Sequence, residues 1–412
     1  MGRVILHSDL NNFFASVECA RDTSLKDKPV VVCGDEEKRC GVVVAKNYEA
    51  KKFGIATGDT VWQAKRKCPE VVCVPPHFAE YHAASQAVRA IYCEYTDLVE
   101  PFGLDEAWLD VSGSLRMFGG GRTIANALRE RVKSETGLTV SIGVSFNKVF
   151  AKLGSDMKKP DAVTVISPSN FKELVWPLAA SELLYVGRAT AKKLAGYGIV
   201  TIGELARADR AFLKAVFGKH GDMLWEYANG RDSSSVAPFG VQNDVKSISN
   251  TTTFPRDTAD KEEIRRVLHM LADSVCARLR AGGFSCTTVA LSVRGTDLKW
   301  RERQRKLQGD TVLAECVADE AFALFLEGGY TMCHGIGIRL TGLAARAENA
   351  QLTLFENAED TKKKETIEKA VDSIRARFGH PAISRALQIG NDEELKRHIY
   401  DDNNTFPDGK HE

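Results

Sequence analysis

The chain has 412 residues, of which 43% are hydrophobic and 27% charged, and its 56 basic and 55 acidic side chains leave a net charge of +1. This length exceeds one ordinary domain, and no apolar run approaches the roughly 18 residues that a membrane helix needs. The sequence therefore predicts several folded domains in a cytoplasmic protein, with no membrane association and no signal peptide. The ten cysteines form no Cys-x-x-Cys pair, so neither a zinc site nor a disulfide scaffold is expected.

Two apolar strand patterns in the first part of the chain carry acidic residues. The first pattern, residues 4–8, ends at Asp9, and the second, residues 102–111, contains the adjacent Asp105 and Glu106. If the strands are neighbours, three carboxylates meet and repel one another unless divalent cations neutralise them. Carboxylates that leave coordination sites for substrate phosphates are the usual magnesium arrangement in phosphoryl-transfer enzymes. The pattern predicts a two-metal phosphoryl-transfer site.

The first 165 or so residues mix short strands with helices and predict one mixed α/β unit. Because the two acidic strands must be neighbours, residues 11–75 are predicted to be an insertion between them. Within this insertion a β-branched strand runs into a basic segment that ends at Gly54. Tyr48 and Lys51 are therefore expected near a strand-to-helix turn.

Residues 166–235 predict short helices, including one that begins with a capping box at Thr201 and Glu204. A serine-rich stretch with Pro238 and Gly240 predicts a linker that ends near residue 242. The following segment predicts a small α+β domain with the order strand, helix, strand, strand, helix, strand. Its first helix is predicted to follow Asp260 and to stop at Gly282-Gly283, and a further helix is predicted for residues 362–378.

Four cations alternate along the third strand of this small domain. Period-2 spacing places them on one face of the strand. They are Lys299, Arg301, Arg303 and Arg305. A simple solvated surface is the alternative to a binding face.

Four segments, in this order, resemble the Y-family translesion DNA polymerases of the bacterial polymerase IV (DinB) type. They are residues 7–18, 47–54, 104–107 and 147–160, and the resemblance covers roughly residues 1–355. It implies an α+β multidomain, right-handed polymerase. The implied domains are a palm (1–10 and 76–165), fingers (11–75), a helical thumb (166–235), a linker (236–242), an α+β little finger (243–342) and a tail (343–412).

The resemblance implies a DNA-directed DNA polymerase that performs error-prone translesion synthesis. Such an enzyme transfers nucleotides from deoxynucleoside triphosphates to the primer 3′-hydroxyl by a two-metal mechanism, without proofreading. Asp9, Asp105 and Glu106 would be catalytic and would bind two Mg²⁺ together with the carbonyl oxygen of Leu10. The residues expected at the incoming nucleotide are Phe13, Phe14, Tyr48, Lys51 and Lys159, of which Phe14 would be the steric gate against a ribose 2′-hydroxyl.

Further segments imply binding partners, and the protein itself is expected to be a monomer. Residues 185–194 resemble a helix-hairpin-helix, through which Gly187 and Lys192 would contact the phosphates of primer-template DNA. The four cations from Lys299 to Arg305 would follow the duplex backbone without reading sequence. Residues 351–355 resemble the pentapeptide that binds the sliding clamp, the DNA polymerase III beta subunit. The expected clamp contacts are Gln351, Leu352, Leu354 and Phe355.

Three positions depart from the family pattern. Asn11 replaces a common aspartate, Gly103 a common serine, and Lys51 a frequent arginine. Two other functions are alternatives. A non-catalytic scaffold of the same fold would bind DNA and clamp, but it gives no reason for the three intact carboxylates. A nucleotide cyclase with a palm-like fold leaves the helix-hairpin-helix, the basic strand and the clamp pentapeptide unexplained.

Overall fold

A computed structural model describes residues 2–35, 41–241, 244–345 and 358–386, together with Ile399. These residues form two compact units. We call the described residues up to Val241 the N-terminal unit and those from position 244 onward the C-terminal unit. Both units combine helices with β-sheet, so the α+β class is confirmed. Within the described ranges, no helix is both long and apolar enough to cross a membrane.

The strands of the N-terminal unit fall into two sheets. They are β1 (Ile5–Leu10), β2 (Val30–Cys33), β3 (Val43–Lys46), β4 (Val72–Val74), β5 (Val99–Phe102), β6 (Glu106–Asp110), β7 (Val140–Ser145) and β8 (Val163–Val165). The larger sheet has the order β5-β6-β1-β7-β8, and the smaller one has the order β3-β2-β4. The smaller sheet lies entirely within the predicted insertion, residues 11–75.

Helices cover the larger sheet and continue beyond it. They are α1 (Phe13–Arg21), α2 (Tyr48–Lys52), α3 (Val61–Lys67), α4 (Phe78–Cys93), α5 (Leu115–Phe118), α6 (Gly121–Thr136), α7 (Lys148–Met157), α8 (Phe171–Val175), α9 (Arg188–Ala195), α10 (Ile202–Arg207), α11 (Arg210–Phe217) and α12 (Lys219–Ala228). The short helices predicted for residues 166–235 are confirmed. So is the capping box, in which Thr201 Oγ1 accepts from Glu204 N and Glu204 Oε2 accepts from Thr201 N.

Close packing between β7 and α7 depends on a glycine. A Cβ atom at Gly143 would lie 1.9 Å from the carbonyl oxygen of Ala151, a distance that only glycine avoids. The contact lets α7 lie directly against β7 and β1. It thereby brings the lysines on and after α7 close to the carboxylates of β1 and β6.

The C-terminal unit is an antiparallel sheet with helices on one face. Its elements are β9 (Ser247–Thr258), α13 (Lys261–Ala281), β10 (Phe284–Arg294), β11 (Trp300–Thr311), α14 (Ala314–Gly328), β12 (Cys333–Ala345) and α15 (Ala358–Phe378), and the strand order is β11-β10-β12-β9. The predicted order of strands and helices is confirmed. Asp260 caps α13, which ends at Gly282 as its pattern predicts.

The predicted linker is not free over its first part. Val236 is buried in a cluster with Ile5 and Trp108 of the N-terminal unit. The amide of Ala237 donates to Glu100 Oε2 at 2.9 Å. This stretch is therefore packed on the N-terminal unit, because a serine- and proline-rich composition signals irregular backbone and not freedom from contact.

Three of the four alternating cations share a face of β11, but Lys299 precedes the strand, and the shared face is not a simple solvated one. Arg301, Arg303 and Arg305 stand opposite Val293, Leu291 and Val289 of β10, which are buried beneath the helices. Directly opposed side chains in an antiparallel pair point to the same face. Arg305 accordingly forms ion pairs of 2.8 and 2.6 Å with two glutamates of α14, while Arg301 pairs with its neighbour Asp297 at 2.8 Å.

Residues 358–386 pack onto α13 through buried charges. Asp273 on α13 is 1% exposed and accepts from Arg385 at 2.9 Å and from Arg375 at 3.3 Å. Arg280 makes a two-bond pair with Asp372 of α15 at 2.6 and 2.8 Å. The helix predicted near residues 362–378 is confirmed as α15, but its attachment to α13 was not predicted.

Candidate active site

The sheet register brings the acidic residues together. Strands β1 and β6 pair antiparallel with Asp9 opposite Glu106. The amide of Leu10 donates to the carbonyl of Asp105 at 2.9 Å. The prediction that the Asp9 strand and the Asp105–Glu106 strand are neighbours is confirmed. All three carboxylates belong to one end of the β1–β6 pair.

Two lysines contact these carboxylates. Lys159 Nζ lies 2.7 Å from Asp9 Oδ2 and 2.9 Å from Asp156 Oδ1. Lys152, on α7, forms an ion pair with Glu106 Oε2. The family resemblance implies a nucleotide contact for Lys159 but no role for Lys152, although Lys152 lies inside the segment 147–160 that carries the resemblance.

Burial and mutual repulsion perturb the acidic groups in different directions. Burial raises the pKa of Asp9 to about 7, with Glu106 and Asp105 reinforcing the shift and Lys159 opposing it. Burial, together with the neighbouring Glu106, also raises the pKa of Asp105. For Glu106, burial alone would raise the pKa, but His7 and Lys152 outweigh it and lower that pKa to about 2. Negative charge is thus concentrated on Glu106 and held less easily by Asp9.

Side chains of α4 hold the turn that precedes Asp105. Arg89 Nη2 donates to the carbonyl of Gly103 at 2.6 Å, and the hydroxyl of Ser85 donates to the carbonyl of Leu104. Gly103 has φ of 79°, a left-handed conformation that glycine adopts at no steric cost. The glycine that departs from the family pattern therefore suits this turn. Ser85 and Arg89 were missed because nothing in their local sequence marks them.

Asn11 also has a structural reason. Its Nδ2 donates to Ser141 Oγ at 2.9 Å, and its Oδ1 accepts from the amide of Asp161 at 2.9 Å. The side chain is 2% exposed. One amide therefore acts as donor and acceptor at once, which an ionised carboxylate does not do. Through Asp161, Asn11 ties the end of β1 to the loop that carries Lys159.

Apart from Lys159, the candidate nucleotide contacts lie on α1 and α2. Asn47 caps α2 by accepting from the amide of Ala50 at 2.9 Å, so Tyr48 is the first helical residue. Burial raises the pKa of Tyr48, and Lys159 and Asp9 are the charges that act on it. Lys51 Nζ lies 5.8 Å from the centroid of the Tyr48 ring. Tyr48 is thus close enough to Asp9 for that charge to act on its hydroxyl, and its ring lies near Lys51.

The two aromatic residues at the start of α1 differ in exposure. Phe13 is 4% exposed and packs in the core below the large sheet, whereas Phe14 is only partly buried. The Phe14 ring stacks on Tyr81 of α4 with centroids 4.3 Å apart. Phe14 is therefore the more accessible of the pair.

The acidic cluster offers oxygen donors to a divalent metal ion. Among the described residues, no three His, Cys, Asp or Glu side chains form a ready-made metal-binding group, and lysines contact Asp9 and Glu106 instead. The donors nevertheless suit Mg²⁺, which prefers carboxylate and carbonyl oxygen. Burial raises the pKa of Asp9 and Lys159 only partly opposes it, so a bound cation would stabilise the charged form of this carboxylate.

The predicted DNA contacts lie on or beside α9 and β11. Gly187 precedes the first residue of α9, with extended backbone and open space around its Cα, and Lys192 lies in the last turn of that helix. Lys299 and Arg303 are exposed. The clamp-binding prediction, residues 351–355, lies outside the described residues.

Known proteins resemble this chain over most of its length. A family model described as the impB/mucB/samB family matches residues 8–156, and that of its C-terminal domain matches residues 245–354. DNA polymerase IV of Acetivibrio thermocellus is 47% identical over 399 residues, covering 96% of this chain and 100% of the relative. DNA polymerase IV 1 of Bacillus subtilis is 36% identical over 410 residues, covering 99% and 98%.

The fold has a counterpart among solved structures. A Y-family DNA polymerase chimera matches with a TM-score of 0.75 and 23% identity, over 83% of this chain and 100% of that chain. The fold is therefore that of a Y-family DNA polymerase. The chain belongs to the impB/mucB/samB family and, within it, to the group of the bacterial DNA polymerases IV.

Proposed function

We propose that the chain is a template-directed DNA polymerase that performs error-prone translesion synthesis. It adds nucleotides from deoxynucleoside triphosphates to a primer 3′-hydroxyl. Its relatives named DNA polymerase IV and its Y-family fold support this function. The observation that carries it is the meeting of Asp9, Asp105 and Glu106 at one end of the β1–β6 pair.

We infer that these three carboxylates, with the carbonyl oxygen of Leu10, hold two Mg²⁺. When bound, the ions stabilise the attacking and leaving oxygens of an in-line phosphoryl displacement. The protein supplies the oxygen donors on paired strands, where the buried sheet fixes their positions. Arg89 and Ser85 hold the preceding turn, so the backbone at Asp105 is fixed from the side of α4.

The lysines and Tyr48 serve the incoming triphosphate in this proposal. Lys159 and Lys51 are point charges that suit phosphate oxygens, and the Tyr48 hydroxyl is a neutral donor. Burial alone would lower the pKa of Lys159, but Asp9 and Asp156 raise it, so the ammonium keeps its charge. Asn11 positions the loop of Lys159 through the amide of Asp161.

Phe14 is proposed as the steric gate, with Phe13 packed beside it. A ring centroid distance of 5.5 Å joins the two, and the stacked Tyr81 supports Phe14 from α4. The variant Phe14→Ala is expected to incorporate ribonucleotides, because it removes the ring that a 2′-hydroxyl would meet. A single-nucleotide insertion assay measures this, and unchanged preference for deoxyribonucleotides would contradict the assignment.

DNA contacts are proposed at the start of α9 and along β11. Gly187 and Lys192 would contact phosphate, as would Lys299, which directly precedes β11, and the three alternating arginines of β11. Two of these cations, Lys299 and Arg303, make no ion pair with another described residue, whereas Arg301 and Arg305 are paired. A cation that neutralises a DNA phosphate releases a counterion from the DNA. A cation that is paired with a carboxylate must first weaken that pair. Lys299 and Arg303 are therefore expected to contribute more.

Recruitment by the sliding clamp is proposed through residues 351–355, on the strength of their sequence. Removing them should abolish stimulation by the clamp and leave distributive synthesis intact. The measurement is primer extension with and without the loaded clamp. Equal stimulation of the shortened protein would refute the assignment.

The experiment that tests the activity is extension of a labelled primer on an undamaged template. Wild-type protein with magnesium and deoxynucleotides should extend the primer, and the double variant Asp105→Ala/Glu106→Ala should not. Binding of the same DNA is measured in parallel for both proteins. Failure of both proteins to extend DNA that they still bind would favour the non-catalytic scaffold.

A further inference from the structure

The ring that supports Phe14 is itself held in place. Tyr81 is fully buried on α4, and its ring lies nearly parallel to that of Phe14, with an interplanar angle of 14° and a centroid distance of 4.3 Å. Phe78, one turn earlier on α4, meets both rings edge-on, at 5.8 Å from Phe14 and 5.7 Å from Tyr81. Phe14 therefore has an aromatic wall behind it and cannot retreat unless Tyr81 moves.

The hydroxyl of Tyr81 is fixed by a buried carboxylate. It donates to Glu18 Oε1 at 2.5 Å. Glu18 also accepts from His77 Nδ1 at 2.9 Å and from Arg21 Nη1 at 3.2 Å, and the residue is only 3% exposed. Burial, together with the hydrogen bond to Glu18, raises the pKa of Tyr81, so the hydroxyl keeps the proton that it donates.

Phe14 and Glu18 are on the same face of one helix. They are four residues apart on α1, a spacing that places side chains one above the other. Tyr81 therefore bridges a single face of α1, with its ring against Phe14 and its hydroxyl on Glu18. A buried carboxylate is costly unless it is fully hydrogen-bonded. Its three partners satisfy Glu18, and none of its hydrogen bonds within the described part of the chain is with the acidic cluster.

We propose that Glu18 is a positioning residue for sugar selection. It locks Tyr81 behind Phe14, so that the gate stays rigid when a ribose 2′-hydroxyl presses on it. The inference rests on the proposed role of Phe14 and adds a residue that acts through it. Rigidity matters here because a displacement of about 1 Å in a positioned group changes rates by up to about 100-fold.

The test compares deoxyribonucleotide with ribonucleotide insertion in conservative variants. Glu18→Gln keeps the shape and one acceptor but loses the charge, and Tyr81→Phe keeps the stacked ring but loses the hydroxyl. For both variants, the ratio of kcat/KM for the deoxyribonucleotide to kcat/KM for the ribonucleotide is expected to fall by about tenfold. Most of this change should come from faster ribonucleotide insertion. Tyr92→Phe is the matched control, because it removes another buried α4 hydroxyl, bonded to Ser8 Oγ at 2.6 Å, that does not contact Phe14.

A second comparison separates positioning from general loosening of the fold. In the Phe14→Ala background, adding Tyr81→Phe should cause no further loss of sugar selection, because the residue through which it acts is gone. Thermal unfolding of every variant verifies that it is folded. The inference is overturned if Glu18→Gln and Tyr81→Phe keep wild-type selection while Phe14→Ala loses it. It is also overturned if Tyr92→Phe loses selection equally, or if the effects of Tyr81→Phe and Phe14→Ala add. If Phe14→Ala itself retains full selection, the gate assignment fails and this inference fails with it.

Discussion

Lys159 offers the sharpest single test of the nucleotide site. In the free protein its ammonium bridges Asp9 and Asp156, at 2.7 and 2.9 Å, with 30% of the side chain exposed. A hydrogen bond between charged groups contributes about 1.5–3 kcal/mol. Because Lys159 must weaken its contacts with Asp9 and Asp156 when it binds triphosphate, we expect the lower end, about 1.5 kcal/mol. That corresponds to a loss of roughly tenfold in kcat/KM for the nucleotide in Lys159→Ala.

The assay is steady-state insertion of one correct deoxynucleotide on a saturating primer-template. The loss should be in KM for the nucleotide, with little change in the affinity for DNA. Lys158→Ala is the matched control, because that lysine is adjacent, exposed and equally charged but belongs to no ion pair with a described residue. The reasoning is refuted if Lys159→Ala keeps its KM, or if Lys158→Ala raises KM by the same factor.

Other predictions concern the fold and DNA binding. Asp273→Asn removes the buried negative charge that accepts hydrogen bonds from Arg375 and Arg385, so urea unfolding of the C-terminal unit should show a loss of about 3 kcal/mol in the free energy of unfolding; an unchanged midpoint would contradict the buried network. Gly143→Ala places a methyl group 1.9 Å from the Ala151 carbonyl oxygen. Because such overpacking lowers the free energy of unfolding by about 1–3 kcal/mol or more, the melting temperature in calorimetry should fall by several degrees. Arg303→Ala should weaken primer-template binding and reduce the slope of log K against log salt concentration by about one. Arg301→Ala should have less effect, because Arg301 is already ion-paired with Asp297. Equal effects of the two substitutions in a salt titration would contradict this difference.

The sequence carried much of the fold and the acidic site because both depend on local signals. Periodicity and caps marked α13 between Asp260 and Gly282, and composition marked the short helices after residue 166. The acidic strands could be expected to pair because the three carboxylates can share metal ions only when their strands are adjacent. The register that places Asp9 opposite Glu106 agrees with that expectation.

What was missed depends on contacts between distant segments. Alternation shows that the cations of β11 share a face, but only the pairing with β10 shows that this face is the one packed by α14. Arg89 acts through the carbonyl of Gly103, and Asp273 through arginines more than a hundred residues away. Charged residues are normally solvated, so nothing local distinguishes a buried Asp273 or Glu18 from a surface acid.

The most direct test of the central claim is single-turnover nucleotide insertion by wild type and by Asp105→Asn, which preserves the shape of the side chain but removes its charge. The same measurement with Asp156→Asn serves as the control, because Asp156 lies outside the β1–β6 junction and its ion pair with a described residue is to Lys159. We predict a loss of about 100-fold or more in the rate of insertion for Asp105→Asn, with DNA affinity retained and a much smaller effect in the control. An insertion rate within a few-fold of wild type would contradict the assignment of the β1–β6 carboxylates as the catalytic centre.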